Sequence, residues 1–110
     1  MAQRKKRLIV EWTETAEKQF LGILEYWTDR TKSTSYAERL VDAVWERTVY
    51  ISKHPSASVK TSFPKTRMAA MGHFSLIYQV FESKIIITAF WDNRQDPKQL
   101  YEMLKKKSQD

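Results

Sequence analysis

Two stretches of helical periodicity, separated by a short polar break, constrain this chain more than any other feature. Ala16, Phe20, Ile23, Leu24 and Trp27 recur at helical spacing, and so do Ala37, Leu40, Val41, Val44, Thr48 and Ile51. Each set forms one apolar stripe that must be buried against something. The break, Thr31–Thr34, is too short to carry the two helices apart, so the pair is predicted to form an antiparallel hairpin. Thr13 is the expected N-cap of the first helix, which should run from about Glu14 to Arg30. Ser35 and Glu38 read as an S-x-x-E capping box opening the second helix, and Pro55 follows its end.

What the hairpin covers is legible in the second half of the chain. Three strands are expected, over about Thr66–Met71, Phe74–Phe81 and Lys84–Trp91. Gly72-His73 and Glu82-Ser83 are the tight turns between them, which makes an antiparallel meander. In the middle strand Phe74, Leu76, Tyr78 and Val80 alternate with Ser75, Ile77, Gln79 and Phe81. One face should bury the helix pair while the other stays partly wet. A first strand is expected at Leu8–Trp12, with Leu8, Val10 and Trp12 on one side, and a short final helix at Gln99–Lys107. Ser56–Pro64 reads as loop. The element order is β-α-α-β-β-β, an α+β fold of two layers with a helix hairpin on one face of an antiparallel sheet.

Length and charge narrow the class. At 110 residues the chain is expected to be one domain, residues 1–110, with enough aromatic bulk for a single core. It has no Cys, which excludes disulfides and thiolate chemistry and suits a cytoplasmic location. His54 and His73 alone do not make a metal site, and no metal or cofactor is expected. No apolar run is long enough for a membrane span, so no membrane role is expected. Nineteen Lys and Arg against thirteen Asp and Glu give +6, which favours a polyanionic partner, either nucleic acid or an acidic protein segment. Much of that excess sits in the terminal runs Arg4-Lys5-Lys6-Arg7 and Lys105-Lys106-Lys107, which read as solvated tails.

The segment after the last strand concentrates polar function. Trp91-Asp92-Asn93-Arg94-Gln95-Asp96-Pro97 puts one arginine among two aspartates and two amides, and Pro97 ends any further ladder pairing. With Trp12-Thr13 and Ala16, Tyr26-Trp27, Tyr36-Ala37-Glu38-Arg39-Leu40, Pro55, Arg67 and Leu76-Ile77-Tyr78-Gln79-Val80, this segment resembles the RelE/ParE toxin superfamily. Its members are the toxin halves of type II toxin–antitoxin pairs. The resemblance runs from about Ile9 to Leu104 and implies a cognate antitoxin as partner in a hetero-oligomer, and a role in growth inhibition and plasmid stabilisation.

The branches of that superfamily differ in chemistry. RelE-like members are ribosome-dependent endoribonucleases that cleave mRNA without a metal. They place cations where charge builds on the phosphorane and move protons with a general acid and base. The resemblance implies Arg67, Arg94 and Tyr101 as the candidate catalytic residues if this chain is a ribonuclease. Other cations of that branch are missing: Ser75 stands before Leu76-Ile77-Tyr78 where an arginine is expected, and Thr66 and Met68 stand where lysines are expected. ParE-like members instead bind and poison DNA gyrase. Phe63-Pro64-Lys65-Thr66-Arg67-Met68-Ala69, with His73 shortly after, looks more like that branch. Candidate target- or RNA-binding residues are Lys60, Lys65, Arg67, His73 and Arg94. A ParE-like toxin is therefore the expectation, with a RelE-like ribonuclease and an inactive fold that only binds its antitoxin as alternatives.

Each candidate also has a structural reading. Arg67 is expected on the wet face of its strand, Arg94 can fork onto Asp92 or Asp96, and Tyr101 can pack on the sheet edge. Trp27 is expected in the core, and Trp45 is expected exposed beside the main stripe.

Overall fold

The computed structural model describes residues 7–108, so Arg4-Lys5-Lys6 lie outside the described residues. The elements are β1 (Ile9–Trp12), α1 (Glu14–Thr31), α2 (Ser35–Lys53), β2 (Val59–Lys60), β3 (Thr66–Met71), β4 (Phe74–Val80), β5 (Lys84–Asp92) and α3 (Pro97–Ser108). Thr13 caps α1 as predicted: its Oγ1 accepts the Ala16 N–H at 3.1 Å. The second cap differs from the expected box. Thr34 holds the N-cap position of α2 and Ser35 is already helical; the Thr34 hydroxyl lies 3.4 Å from Glu38 Oε1 instead of bonding the backbone.

Sheet order is β1-β5-β4-β3-β2. The meander β3-β4-β5 is antiparallel, with its turns at the predicted places, and Gly72 takes the positive φ (75°) that the first turn requires. Two pairings add to the expectation. β1 lies parallel to β5, from Ile9 opposite Lys84 to Trp12 opposite Ile87, so the sheet is mixed. Strand direction at that edge is set by a long-range contact that local periodicity does not encode. Within the expected loop, Val59 and Lys60 pair with Met68 and Arg67 as a short edge strand.

The hairpin face of the sheet buries Phe74, Leu76, Tyr78, Ile85, Ile87 and Phe90 against Ala16, Leu40, Val44 and Ile51, with Phe20, Ile23 and Leu24 partly buried beside them. Trp27 is not part of this core. It is half-buried at the end of α1, between Tyr26 and Tyr36, because the sheet beneath it ends at Asp92. The opposite face is drier than predicted. α3 folds under it, and Leu100 and Leu104 bury Ile77, Ala89 and Trp91, with Met68 and Phe63 alongside. Helix α3 therefore adds a partial third layer.

Strict alternation cannot put both Ile87 and Phe90 on the hairpin face. A β-bulge does so: Ile77 pairs with Ala89, but Tyr78 pairs with Ile87, which leaves Thr88 as the extra residue. Beyond the bulge the parity of β5 reverses, so Phe90 and Asp92 join the hairpin side while Ala89 and Trp91 face α3. The bulge is held from α1, which runs alongside β5. The Thr13 N–H donates to the Ile87 carbonyl at 3.0 Å, and the Phe90 N–H donates to Gln19 Oε1 at 3.0 Å. Phe90 stacks on Phe74 at 5.3 Å and meets Phe20 edge-on at 4.9 Å. Phe90→Ala is therefore expected to cost about 3–5 kcal/mol of unfolding free energy in chemical denaturation; a loss below about 1 kcal/mol would show that this ring cluster does not carry the core.

Candidate functional site

The reversed parity of β5 decides where the polar segment points. Asp92 pairs with Phe74 on the hairpin side, and the chain then turns. The turn is built from side chains. The Asp92 carboxylate accepts the Arg94 backbone N–H at 2.9 Å, Arg94 Nε at 2.9 Å and Arg94 Nη2 at 2.7 Å. Asp92 is mostly covered, and about half of the Arg94 side chain is exposed. The Arg94 hydrogen bond holds the Asp92 carboxyl below its ordinary range and outweighs the opposing effect of burial. The same bond raises the guanidinium. The guanidinium also lies over two rings, 5.6 Å from the centre of Trp27 and 5.9 Å from that of Phe74. Arg94 is thus fixed by a carboxylate fork and two aromatic faces.

Asn93, which the sequence reading passed over, ties this turn to the β3–β4 turn. Its backbone N–H donates to the His73 carbonyl at 2.7 Å, and its side-chain amide donates to the Gly72 carbonyl at 3.2 Å. Its Oδ1 accepts from the Ser75 hydroxyl at 2.8 Å. A polar residue directly after a long apolar strand was the available signal. His73 is exposed at this same end of the sheet.

The other candidates lie elsewhere. Arg67 faces the hairpin side, not the wet side: its cross-strand partner is Tyr78, and its Nη1 donates to the carbonyls of Ser58 (2.7 Å) and Ser56 (3.1 Å). It holds the loop after α2, next to the Tyr78 hydroxyl that donates to Pro55. Strand parity sets this face: Met68 packs on the α3 side and Ala69 on the hairpin side, and Arg67 shares the parity of Ala69. Lys60 is exposed on β2 opposite Arg67. Lys65 has positive φ (59°), and its ammonium lies 5.1 Å from the centre of the Phe81 ring. The Lys65 carbonyl accepts from Val80, at the far end of β4 from Phe74, about 20 Å from the Arg94 turn at the usual rise per strand residue. Tyr101 is half-exposed on α3, with its ring 5.3 Å from Phe63 on the sheet's other face. The structure brings His73 and Arg94 to one end of the sheet and places Arg67, Lys65 and Tyr101 apart from them.

The three positions where ribonuclease cations are absent share a different environment. Ser75 and Thr66 are buried, and Met68 packs into the α3 cluster. The Thr66 hydroxyl donates to the Pro64 carbonyl at 2.9 Å. A lysine or arginine there would have to displace its packed neighbours or bury its charge.

Both the sequence and the fold have counterparts among known proteins. The sequence matches the family described as ParE toxin of the type II toxin–antitoxin system parDE over residues 10–97. That match spans most of the chain, and the protein belongs to this family. No curated protein matches. Among solved structures, the fold is similar to a chain of the chromosomal ParDE toxin–antitoxin system from P. aeruginosa, with a TM-score of 0.67 and 17% identity, covering 78% of this chain and 96% of that one. Among the described residues no helix is long and apolar enough to cross a membrane.

Two outcomes test the site's construction. A carboxyl held below its unfolded value stabilises the fold above that value, and the stabilisation is lost as pH falls through the folded one. The wild-type protein should therefore lose more stability in acid than Asp92→Asn, as read by denaturation midpoints at neutral and acid pH; parallel curves would show that the fork carries no folding energy. Arg67→Ala should lower stability by about 1–3 kcal/mol, since it removes two charge-assisted hydrogen bonds to loop carbonyls. It should also speed proteolysis at Ser56–Ser58, and an unchanged cleavage rate there would refute its role in holding that loop.

Proposed function

We propose that this toxin arrests growth in the ParE-like manner, by contact with a protein target such as DNA gyrase, and that it does not cleave mRNA on the ribosome. The observation that carries this reading is the cover over the sheet's second face. Ser75 is buried and bonded to Asn93, Thr66 is buried and bonded to the loop before β3, and Met68 packs with α3, so nothing cationic stands there to meet a phosphorane. Loss of one preorganised donor typically costs about 2.7–4 kcal/mol in the transition state, and here several are replaced together. Arg94 and Tyr101 lie on different sides of the sheet, which argues against a shared reaction centre.

The target-contact surface in this reading is the end of the sheet that carries His73, Asn93 and Arg94. The stacked, half-exposed arginine there is preorganised for recognition. An acidic antitoxin would neutralise the +6 chain.

Expression of the chain alone should arrest bacterial growth, and co-expression of the neighbouring gene should restore it. Purified protein should inhibit gyrase supercoiling and leave translation in vitro intact. Primer extension on mRNA from arrested cells should show no codon-internal cuts. Cuts that disappear in Arg94→Ala would reverse the assignment in favour of the ribonuclease. Unimpaired growth with folded protein accumulating would leave the fold as an antitoxin-binding relic.

A further inference from the structure

Beside Arg94 lies a pocket of about 500 Å³, lined by Gly22, Ile23, Tyr26, Trp27, Arg30 and Asp92 among others. It contains two arginines and one carboxylate. Asp92 takes Nε and one hydrogen of Nη2 from Arg94, which leaves both Nη1 hydrogens and the second Nη2 hydrogen unclaimed among the described residues. Arg30 has no carboxylate partner among the described residues; its one hydrogen bond, at 3.4 Å, is to the Tyr26 hydroxyl. The pocket therefore holds an excess of positive charge beside exposed aromatic surface.

Gly22 is the second observation. It sits in the middle of α1, where glycine is the poorest helix former after proline. A Cβ built there meets nothing within 4 Å, so no packing inside the chain requires the missing side chain. What the glycine provides is an open wall through which another backbone can approach the helix closely.

We infer that this pocket receives an acidic side chain from an extended or helical segment of the cognate antitoxin, with the segment's backbone passing over Gly22 and its carboxylate between Arg30 and Arg94. The occupant is a carboxylate-bearing peptide because the unclaimed Nη1 and Nη2 hydrogens of Arg94, together with the Arg30 guanidinium, are donors suited to a carboxylate. Apolar ring faces from Tyr26 and Trp27 flank the same opening, which suits a polypeptide with side chains on either side of the acid. The assignment rests on the toxin reading above and gives it a means of neutralisation: an antitoxin seated here would cover Arg94.

The test uses the full chain and the purified product of the neighbouring gene, with affinity measured by calorimetry at low and high salt. Gly22→Leu fills the opening with a good helix former, and Arg30→Glu reverses the charge. Each should weaken antitoxin binding by about tenfold or more. Arg30→Glu should also flatten the salt dependence, and the thermal midpoint of Gly22→Leu should stay level or rise. Unchanged affinity in both variants overturns the inference. So does loss of growth arrest in the variants with antitoxin affinity retained, which would assign the pocket to the cellular target. Displacement of the antitoxin by single-stranded nucleic acid from wild type but not from Arg30→Glu would assign it to phosphate instead. Affinity is read without any toxicity, so a chain that binds its antitoxin through this pocket yet fails to arrest growth would sink the toxin reading alone. Growth arrest by a chain whose antitoxin binding ignores both substitutions would sink the pocket alone.

Discussion

One extra residue in β5, Thr88, lets a single strand serve two faces of the sheet. Ile85 and Ile87 are committed to the helix hairpin by ordinary alternation, which would send Phe90 and Asp92 to the opposite side. Thr88 absorbs the mismatch. The cost of the disrupted ladder is met from α1, whose Thr13 and Gln19 reach the backbone groups on either side of the bulge. In return Phe90 completes the ring cluster with Phe20 and Phe74, and Trp91 is released to the α3 side. The strand becomes the shared wall of two small cores.

The polar end of the sheet inherits its geometry from that parity. Asp92 emerges on the hairpin side, so the arginine it forks also lies there, over Trp27 and Phe74. Had the strand continued in strict alternation, Asp92 would have faced α3, and the guanidinium would have been drawn away from Trp27 and Phe74. Asn93 then fixes the turn to its neighbour through three hydrogen bonds, which ties the position of Arg94 to that of His73. In the Asp92–Arg94 pair the carboxylate orients the cation and leaves part of its hydrogen-bonding capacity unclaimed among the described residues.

On the second face of the sheet, packing takes the place of charge. Where a ribonuclease would present cations, this chain has a buried serine, a buried threonine and a methionine packed under α3. Met68 packs directly in the α3 cluster, while the Thr66 and Ser75 hydroxyls are held by Pro64 and Asn93. Membership of the ParE toxin family and this covered face are consistent with each other, and the proposed action through protein contact needs no open reaction surface.

Local chemistry determined much of this protein before it folds. The two helical stripes, the Thr13 cap, the meander and its Gly72 turn are all readable because each depends on spacing or backbone preference within a few residues. The superfamily was readable too, since its marks are short motifs in order along the chain. What the tertiary structure alone decided are the choices that depend on contacts distant in sequence. The parallel pairing of β1, the bulge at Thr88, the burial under α3 and the loop-holding role of Arg67 each require two segments to meet. The same holds for the candidate site: Arg94 was legible as a charged residue in a turn, but its aromatic platform comes from α1 and β4, and its neighbour Arg30 and the opening at Gly22 from α1, far earlier in the chain. Periodicity reports which residues must be buried; only packing reports against what, and on which side.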